Sequence, residues 1–418
     1  MLRAEPGTPH TGLRPHDGPP VHREPLWPGL QAFLWFRLPR TGLPFSASPR
    51  GRGERPSAAE DTGARGAIAT GGALTWSIVS DQQHYPWPLA SATGVGSLPG
   101  TDPGEAVRTV LGELPELPHL PELPDRGAGA DIIGRAAAAL VEFPVEVQPS
   151  GWRVAQRPGR DLGRARGFLS YDLDALEEHA GAYSGPLKIQ IAGPWTLAAA
   201  VELRNGEKLL ADLGAVDDLC ESFIEGLRAH IADVRKRVPG GAPLVQIDEP
   251  SLPAALLGAV PTASGYGRLR AVERVTVEER LRAVFAAVAD AGAFPMAHCC
   301  APGVPVDLLR RSGARALGLD ATLLTRDADE AIGTAVEDGI GLLLGVVPGA
   351  DAVLSAPAVT VDPVRELWHR IGFDPELAAE AVVTTPTCGL AGASPRHARA
   401  ALELCRKAAR VLREEPRR

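Results

Sequence analysis

From Ser91 onward the chain alternates between two kinds of segment, and this alternation limits the fold more than any other feature. Short apolar, β-prone runs stand at 92–97 (ATGVGS), 144–149 (PVEVQP), 187–193 (LKIQIAG), 243–249 (PLVQIDE), 294–299 (FPMAHC), 316–320 (ALGLD), 340–347 (IGLLLGVV) and 381–388 (AVVTTPTC). Between most of them lie longer stretches of helical period, such as LLADLGAVDDLCESFIEGLRAHIADVRKRV, VEERLRAVFAAVADAG and SPRHARAALELCRKAARVLREE. Parallel strands need long crossovers, and amphipathic helices supply them. Eight such runs over roughly 320 residues predict an α/β fold, a (β/α)8 TIM barrel over 90–414. A doubly wound open sheet is the competing arrangement. It usually has fewer strands, and no G-x-G-x-x-G follows the first run.

Residues 1–85 do not share this rhythm. Segments such as PGTPHTGLRPHDGPP and SPRGRGERPSAAEDTGARGA are dense in Pro, Gly and Arg and carry neither period. A stretch of that composition cannot bury enough apolar surface to order itself, so a disordered N-terminal extension is expected. The run LQAFLWFRL is short, broken by Arg37 and lacks a cleavage pattern, so it does not read as a signal peptide. No apolar run approaches the roughly 18 residues that span a bilayer. A net charge of -8 gives no reason to expect nucleic acid or an anionic membrane as partner. The five cysteines (220, 299, 300, 388 and 405) are odd in number and not spaced as a secreted scaffold, which points to reduced thiols and a cytoplasmic location.

Ser97, Asp248, His298, Asp320 and Cys388 each fall at or just past the C-terminal end of a β-prone run. In a barrel that is the face on which active sites are assembled from several strands. Side chains alternate along a strand, so His298 and Cys300 point the same way and Cys299 the other. An H-x-C pair can grip one metal, and Cys388, followed by the turn-forming Gly389, can converge on it from the last strand. Two thiolates and an imidazole suit Zn²⁺, with Asp320 the candidate for a fourth position. Free cysteine is also among the most buried residue types. Cys220 and Cys405, inside helical stretches, are read as core.

Taken in order, further motifs resemble the C-terminal catalytic domain of cobalamin-independent methionine synthase. VGSLPGT (95–101) resembles the family's Ile-Gly-Ser-Phe-Pro segment, QPSGW (148–152) its Gln-Asn-Gly-Trp, and IAGPWTL (191–197) its Thr-Gly-Pro-Val-Thr. VQIDEPSL (245–252) resembles Ile-Gln-Ile-Asp-Glu-Pro-Ala-Leu, and the H-x-C at 298–300 and TPTCGL (385–390) complete the set. The resemblance spans about Thr93 to Leu412 and implies a single (β/α)8 barrel where the full-length enzyme has two. It implies methyl transfer to the thiol of L-homocysteine, giving methionine, with Zn²⁺ held by His298, Cys300 and Cys388. Asp320 falls where the family has a glutamate ligand, one methylene longer. Val95, Gly96 and Ser97 match the segment that holds the amino-acid substrate. Asp248 matches the catalytic carboxylate that pairs with the substrate ammonium, and Glu249 should face away from it. Trp152 is the candidate wall for a flat methyl donor.

The departures concentrate on the donor. Ala200 stands where the family has a Trp, Ala254 lies near where it has an acidic residue, and GVVPGAD (345–351) contains no His where the family has one. The expected donor is therefore left between methyl-tetrahydrofolate and a methyl-corrinoid protein. Three other readings compete: a zinc methyltransferase for another small thiol, a porphyrinogen decarboxylase-like barrel, and a non-catalytic binding or redox-sensing barrel built on Cys299 and Cys300.

Overall fold

A computed structural model describes residues 85–417. The segment expected to be disordered lies almost wholly outside them. The described part opens on Tyr85 and Trp87, which stack at 5.2 Å and are buried in the core.

An antiparallel hairpin, β1 (Val145–Gln148) and β2 (Gly151–Val154), precedes the main sheet. Six parallel strands follow: β3 (Gly185–Ala192), β4 (Gly241–Asp248), β5 (Phe294–Cys299), β6 (Ala316–Asp320), β7 (Gly341–Val347) and β8 (Val382–Pro386), hydrogen-bonded in sequential order. Strands β5 and β7 are buried at every position, as expected for parallel strands covered on both faces. Two extended segments complete the ring as staves held by single parallel bridges: Ala92 to Thr384 of β8, Ser97 to Glu122, and His119 to Lys188 of β3. Thr93 N–H donates to Thr384 O (3.1 Å), Leu98 N–H to Glu122 O (2.9 Å) and Leu120 N–H to Lys188 O (2.9 Å). With six strands and two staves the sheet curls into the expected (β/α)8 barrel.

Two assignments change. The run at 144–149 is not a barrel strand. It is one arm of the hairpin, which turns at Pro149–Ser150 and docks on the loop after β3, Glu202 N–H donating to Trp152 O (2.8 Å). The second stave is instead 118–122 (PHLPE), whose own Pro118 and Pro121 lack ladder donors and hide it as a strand. Glycines in the first stave have a packing cause. A Cβ on Gly94 would come within 2.3 Å of His119, and one on Gly96 within 2.9 Å of Gln190.

The outer layer follows its sequence pattern. The helix Pro395–Glu414 buries Ala398, Ala401, Leu402, Cys405, Ala408, Ala409 and Leu412, a stripe at spacings of three and four. Ser394 caps its start, accepting from His397 N–H at 3.2 Å. The helix Leu213–Arg237 is capped by Asp212, which accepts from Gly214 and Ala215 N–H, and buries Cys220. Both cysteines read as core are core. Among the described residues no helix is long and apolar enough to cross a membrane.

Candidate active site

Strand register brings the polar residues together. Asp248 and His298 are direct partners across β4 and β5, and His298 Nδ1 lies 2.8 Å from Asp248 Oδ1. On its other side His298 is paired with Gly318 of β6, where a Cβ would come within 3.0 Å of the imidazole. Gly318 therefore clears the space that His298 occupies, a role its place inside an apolar run did not reveal. Because Nδ1 is held by a carboxylate, Nε2 is the ring nitrogen left for a ligand.

Beyond β8 the chain continues through Thr387, whose N–H donates to Val347 O (2.8 Å), to Cys388. The Cys388 Sγ lies 3.5 Å from the Cys300 Sγ, although the two are 88 residues apart. Alternation works as expected: Cys299 points away, is buried, and has its thiol pushed up to about 12 by desolvation. In the facing pair, the hydrogen bond from the Cys300 thiol draws Cys388 down to about 6, helped by nearby His298 and the Gly389 N–H. The same contact pushes Cys300 well up. The pair thus favours one shared thiolate near neutral pH. Ser97 adjoins this loop: Leu390 N–H donates to Ser97 O (2.8 Å), and a Cβ on Gly389 would meet Ser97 Oγ at 2.1 Å.

Asp320 ends β6 but turns into its own loop. Its Oδ1 accepts from Thr322 N–H (2.9 Å) and Thr322 Oγ1 (2.6 Å), capping a short 3-10 turn. Burial raises its pKa, with the Thr322 donors and His298 opposing. Among the described residues no three His, Cys, Asp or Glu side chains meet closely enough to form a ready-made metal site. The candidates are arranged as two pairs, Cys300 with Cys388 and His298 with Asp248, with Asp320 beside them.

The donor set nevertheless fits Zn²⁺. Two thiolates on one tetrahedral zinc sit about 3.8 Å apart, given Zn–S bonds of about 2.3 Å. The observed 3.5 Å separation is close to that. Metal-bound histidines commonly give their other ring nitrogen to a carboxylate, as His298 does to Asp248.

Glu249, next to Asp248, faces the helix layer as alternation requires. It accepts from Trp195 N–H (3.0 Å), Thr196 N–H (2.7 Å) and Thr196 Oγ1 (2.7 Å), and burial raises its pKa to about 7. Trp152 is 4% exposed and packs into the core beneath the hairpin. The barrel interior also holds Lys188, Gln190 and Gln246, which the apolar-run reading passed over. Their signal was available: LKIQIA and VQID place polar residues at every second position of strands otherwise too apolar to face water.

A parallel-strand barrel with thiol, imidazole and carboxylate groups gathered at the C-terminal ends of its strands defines a class of enzyme that assembles its site on that face. The model of the cobalamin-independent synthase catalytic domain matches residues 89–411, and the chain belongs to that family. It is accordingly a methyltransferase with a catalytic domain of the methionine synthase type, whose reaction class is methyl transfer to homocysteine. Among solved structures it is similar to a B12-independent methionine synthase from Shewanella sp. W3-18-1 in complex with selenomethionine. That match has 12% identity and a TM-score of 0.52, covering 78% of this chain and 99% of that one. A β-methylaspartase from Clostridium tetanomorphum matches with 12% identity and a TM-score of 0.40, covering 77% of this chain and 59% of that one, and carries no functional argument. No curated protein matches the chain.

Proposed function

We propose that this chain is a zinc-dependent, cytoplasmic S-methyltransferase that uses L-homocysteine as acceptor and forms methionine. The observation that carries the reading is the Cys300–Cys388 sulfur pair, 3.5 Å apart and beside a histidine oriented by a carboxylate. His298 through Nε2, Cys300 and Cys388 would hold Zn²⁺, with Asp320 adjoining as the fourth position. When bound, the metal supplies the Lewis acidity that keeps a substrate thiol deprotonated at neutral pH, where a free thiol is mostly protonated. Two cysteine ligands donate charge and keep that sulfur electron-rich.

The protein's own groups orient the amino acid. Asp248 accepts from His298 and Gln246 through the same oxygen, Oδ1, which leaves Oδ2 for the substrate ammonium. The Val95, Gly96 and Ser97 segment, next to the Cys388 loop, offers backbone N–H groups and a hydroxyl to the carboxylate. The hairpin bearing Trp152 would border the donor. Ala200 ends the helix Pro194–Ala200 and Ala254 lies within Leu252–Leu256, so neither place offers a stacking ring or an acid. Those small residues favour a methyl-corrinoid protein as donor, with methyl-tetrahydrofolate held by other contacts as the competitor.

A second reading, transfer to another small thiol, draws support from Asp248 itself, since orienting His298 gives that carboxylate a task that needs no amine. One experiment tests both. Zinc-loaded protein is assayed with methylcobalamin and methyl-tetrahydrofolate as donors, and with homocysteine or its deaminated analogue 4-mercaptobutanoate as acceptor. Methionine formation with about one zinc per chain is expected. No methionine from either donor, or zinc retained in full by both His298→Ala and Cys388→Ser, would refute the reading.

A further inference from the structure

Beneath the mouth, the barrel holds a lysine for which the reading above has no task. Lys188, on β3, is 0% exposed. An ammonium out of water is tolerated only when other oxygens replace its hydration. Lys188 has three N–H protons and three acceptors: Val95 O at 2.7 Å, Gln246 Oε1 at 3.0 Å and Gln190 Oε1 at 3.2 Å. Asp248 and Glu122 balance its charge from nearby, while desolvation draws its pKa down to about 8, so it stays mostly protonated at neutral pH.

Those contacts have a directional consequence. By accepting from an ammonium, the Gln246 oxygen is turned toward Lys188 and its NH₂ is turned the other way. That NH₂ donates to Asp248 Oδ1 (2.7 Å) and to Val95 O (3.0 Å). The flipped form would aim an oxygen at a carboxylate and a carbonyl, and an NH₂ at an ammonium, so Lys188, Asp248 and the Val95 carbonyl all hold the same amide orientation. The Val95 carbonyl is likewise drawn to the lysine. In a trans peptide the Gly96 N–H points opposite to it, away from Lys188. One buried cation therefore ties the segment expected to take the substrate carboxylate to Gln246 and, through it, to the carboxylate expected to take the substrate ammonium.

We propose that Lys188 is a positioning residue for the amino-acid substrate, presetting the Val95–Ser97 segment and Asp248 through a shared contact with Gln246 and the Val95 carbonyl. This rests on homocysteine being the acceptor. It places the origin of amino-acid selectivity in the barrel interior, one layer below the groups that touch the ligand.

The test uses the zinc-loaded full chain and its Lys188→Met variant, which keeps the side chain's length and removes its charge and donors. Homocysteine affinity is measured by calorimetry, and KM, kcat and zinc content are measured alongside. The expected result is a rise of at least about fivefold in both Kd and KM, with kcat at saturation and zinc content within about threefold of the parent. A smaller rise, or a loss confined to kcat or zinc, overturns the proposal. A merely structural lysine would lower stability without separating KM from kcat. If Lys188→Met does not accumulate as folded protein, Gln246→Met, which removes no charge, carries the same expectation and the same threshold. Failure of the parent protein to bind homocysteine would instead sink the functional reading, so the two failures are distinguishable.

Discussion

The sulfur pair makes a quantitative prediction that does not depend on metal. In the metal-free protein the hydrogen bond from Cys300 holds Cys388 at about 6 against an ordinary 9.0. Substituting Cys300→Ala removes the largest cause and leaves the burial penalty, which raises the pKa, opposed by the weaker attraction of His298 and the Gly389 N–H. The Cys388 pKa should then rise by at least about one unit, toward or past the ordinary thiol value. The assay is peptide-resolved alkylation by iodoacetamide from about pH 5 to 10, since only the thiolate reacts. Background is low because Cys220 and Cys299 are pushed up to about 12, and burial pushes Cys405 up as well. A Cys388 half-point at or above about pH 8 in the parent, or no shift in Cys300→Ala, would show that the sulfurs do not share a proton in solution.

Three further outcomes follow from the barrel. Asp172 is buried against the Arg126 (2.8 Å) and Arg135 guanidiniums, so Asp172→Ala strips the carboxylate from a half-buried Arg126 and leaves buried Arg135 only Glu122 at 3.4 Å; a cost of about 3 kcal/mol in denaturant unfolding is expected, and a loss under about 1 kcal/mol contradicts this. Glu249 has its pKa raised from 4.5 to about 7, so the folded state binds a proton that the unfolded state has released in that window. Stability from this group is complete below pH 4.5 and falls by about 3 kcal/mol as pH rises through 7, a slope that Glu249→Gln should flatten in midpoints measured at about pH 5 and 8. Gly345→Ala places a Cβ 2.6 Å from Thr387 Cα, so the backbone before Cys388 must shift; a stability loss of about 1–3 kcal/mol with weaker zinc retention is expected, and unchanged zinc affinity by chelator competition counts against a rigid ligand loop.

Much of this was readable in one dimension because the relevant physics is local. Period-two and period-3.6 patterns report which face of a segment is buried, and they located β3 to β8 and the long helices. Alternation also separated Cys300 from Cys299 and Asp248 from Glu249, since neighbours on a strand must face opposite ways. The reading failed where the role of a run depends on which partner it pairs with. The run at 144–149 looks like any barrel strand, yet a tight turn offers it an antiparallel partner nearby. The stave at 118–122 contains two prolines and declares itself only by its bridges to Ser97 and Lys188.

The site divides the same way. Residue type and strand-end position marked His298, Cys300, Cys388, Asp320 and Asp248 from the sequence alone, because a strand's C-terminal end is a local address. Which of them touch was decided by register and barrel closure. Those set His298 against Asp248, joined two sulfurs 88 residues apart, and turned Asp320 to cap its own loop. Lys188 is the plainest case. The sequence shows it as one polar residue of the alternating LKIQIA run, and an ammonium is stable there only because three oxygens from three strands and staves converge on it, an arrangement that exists only once the chain is folded.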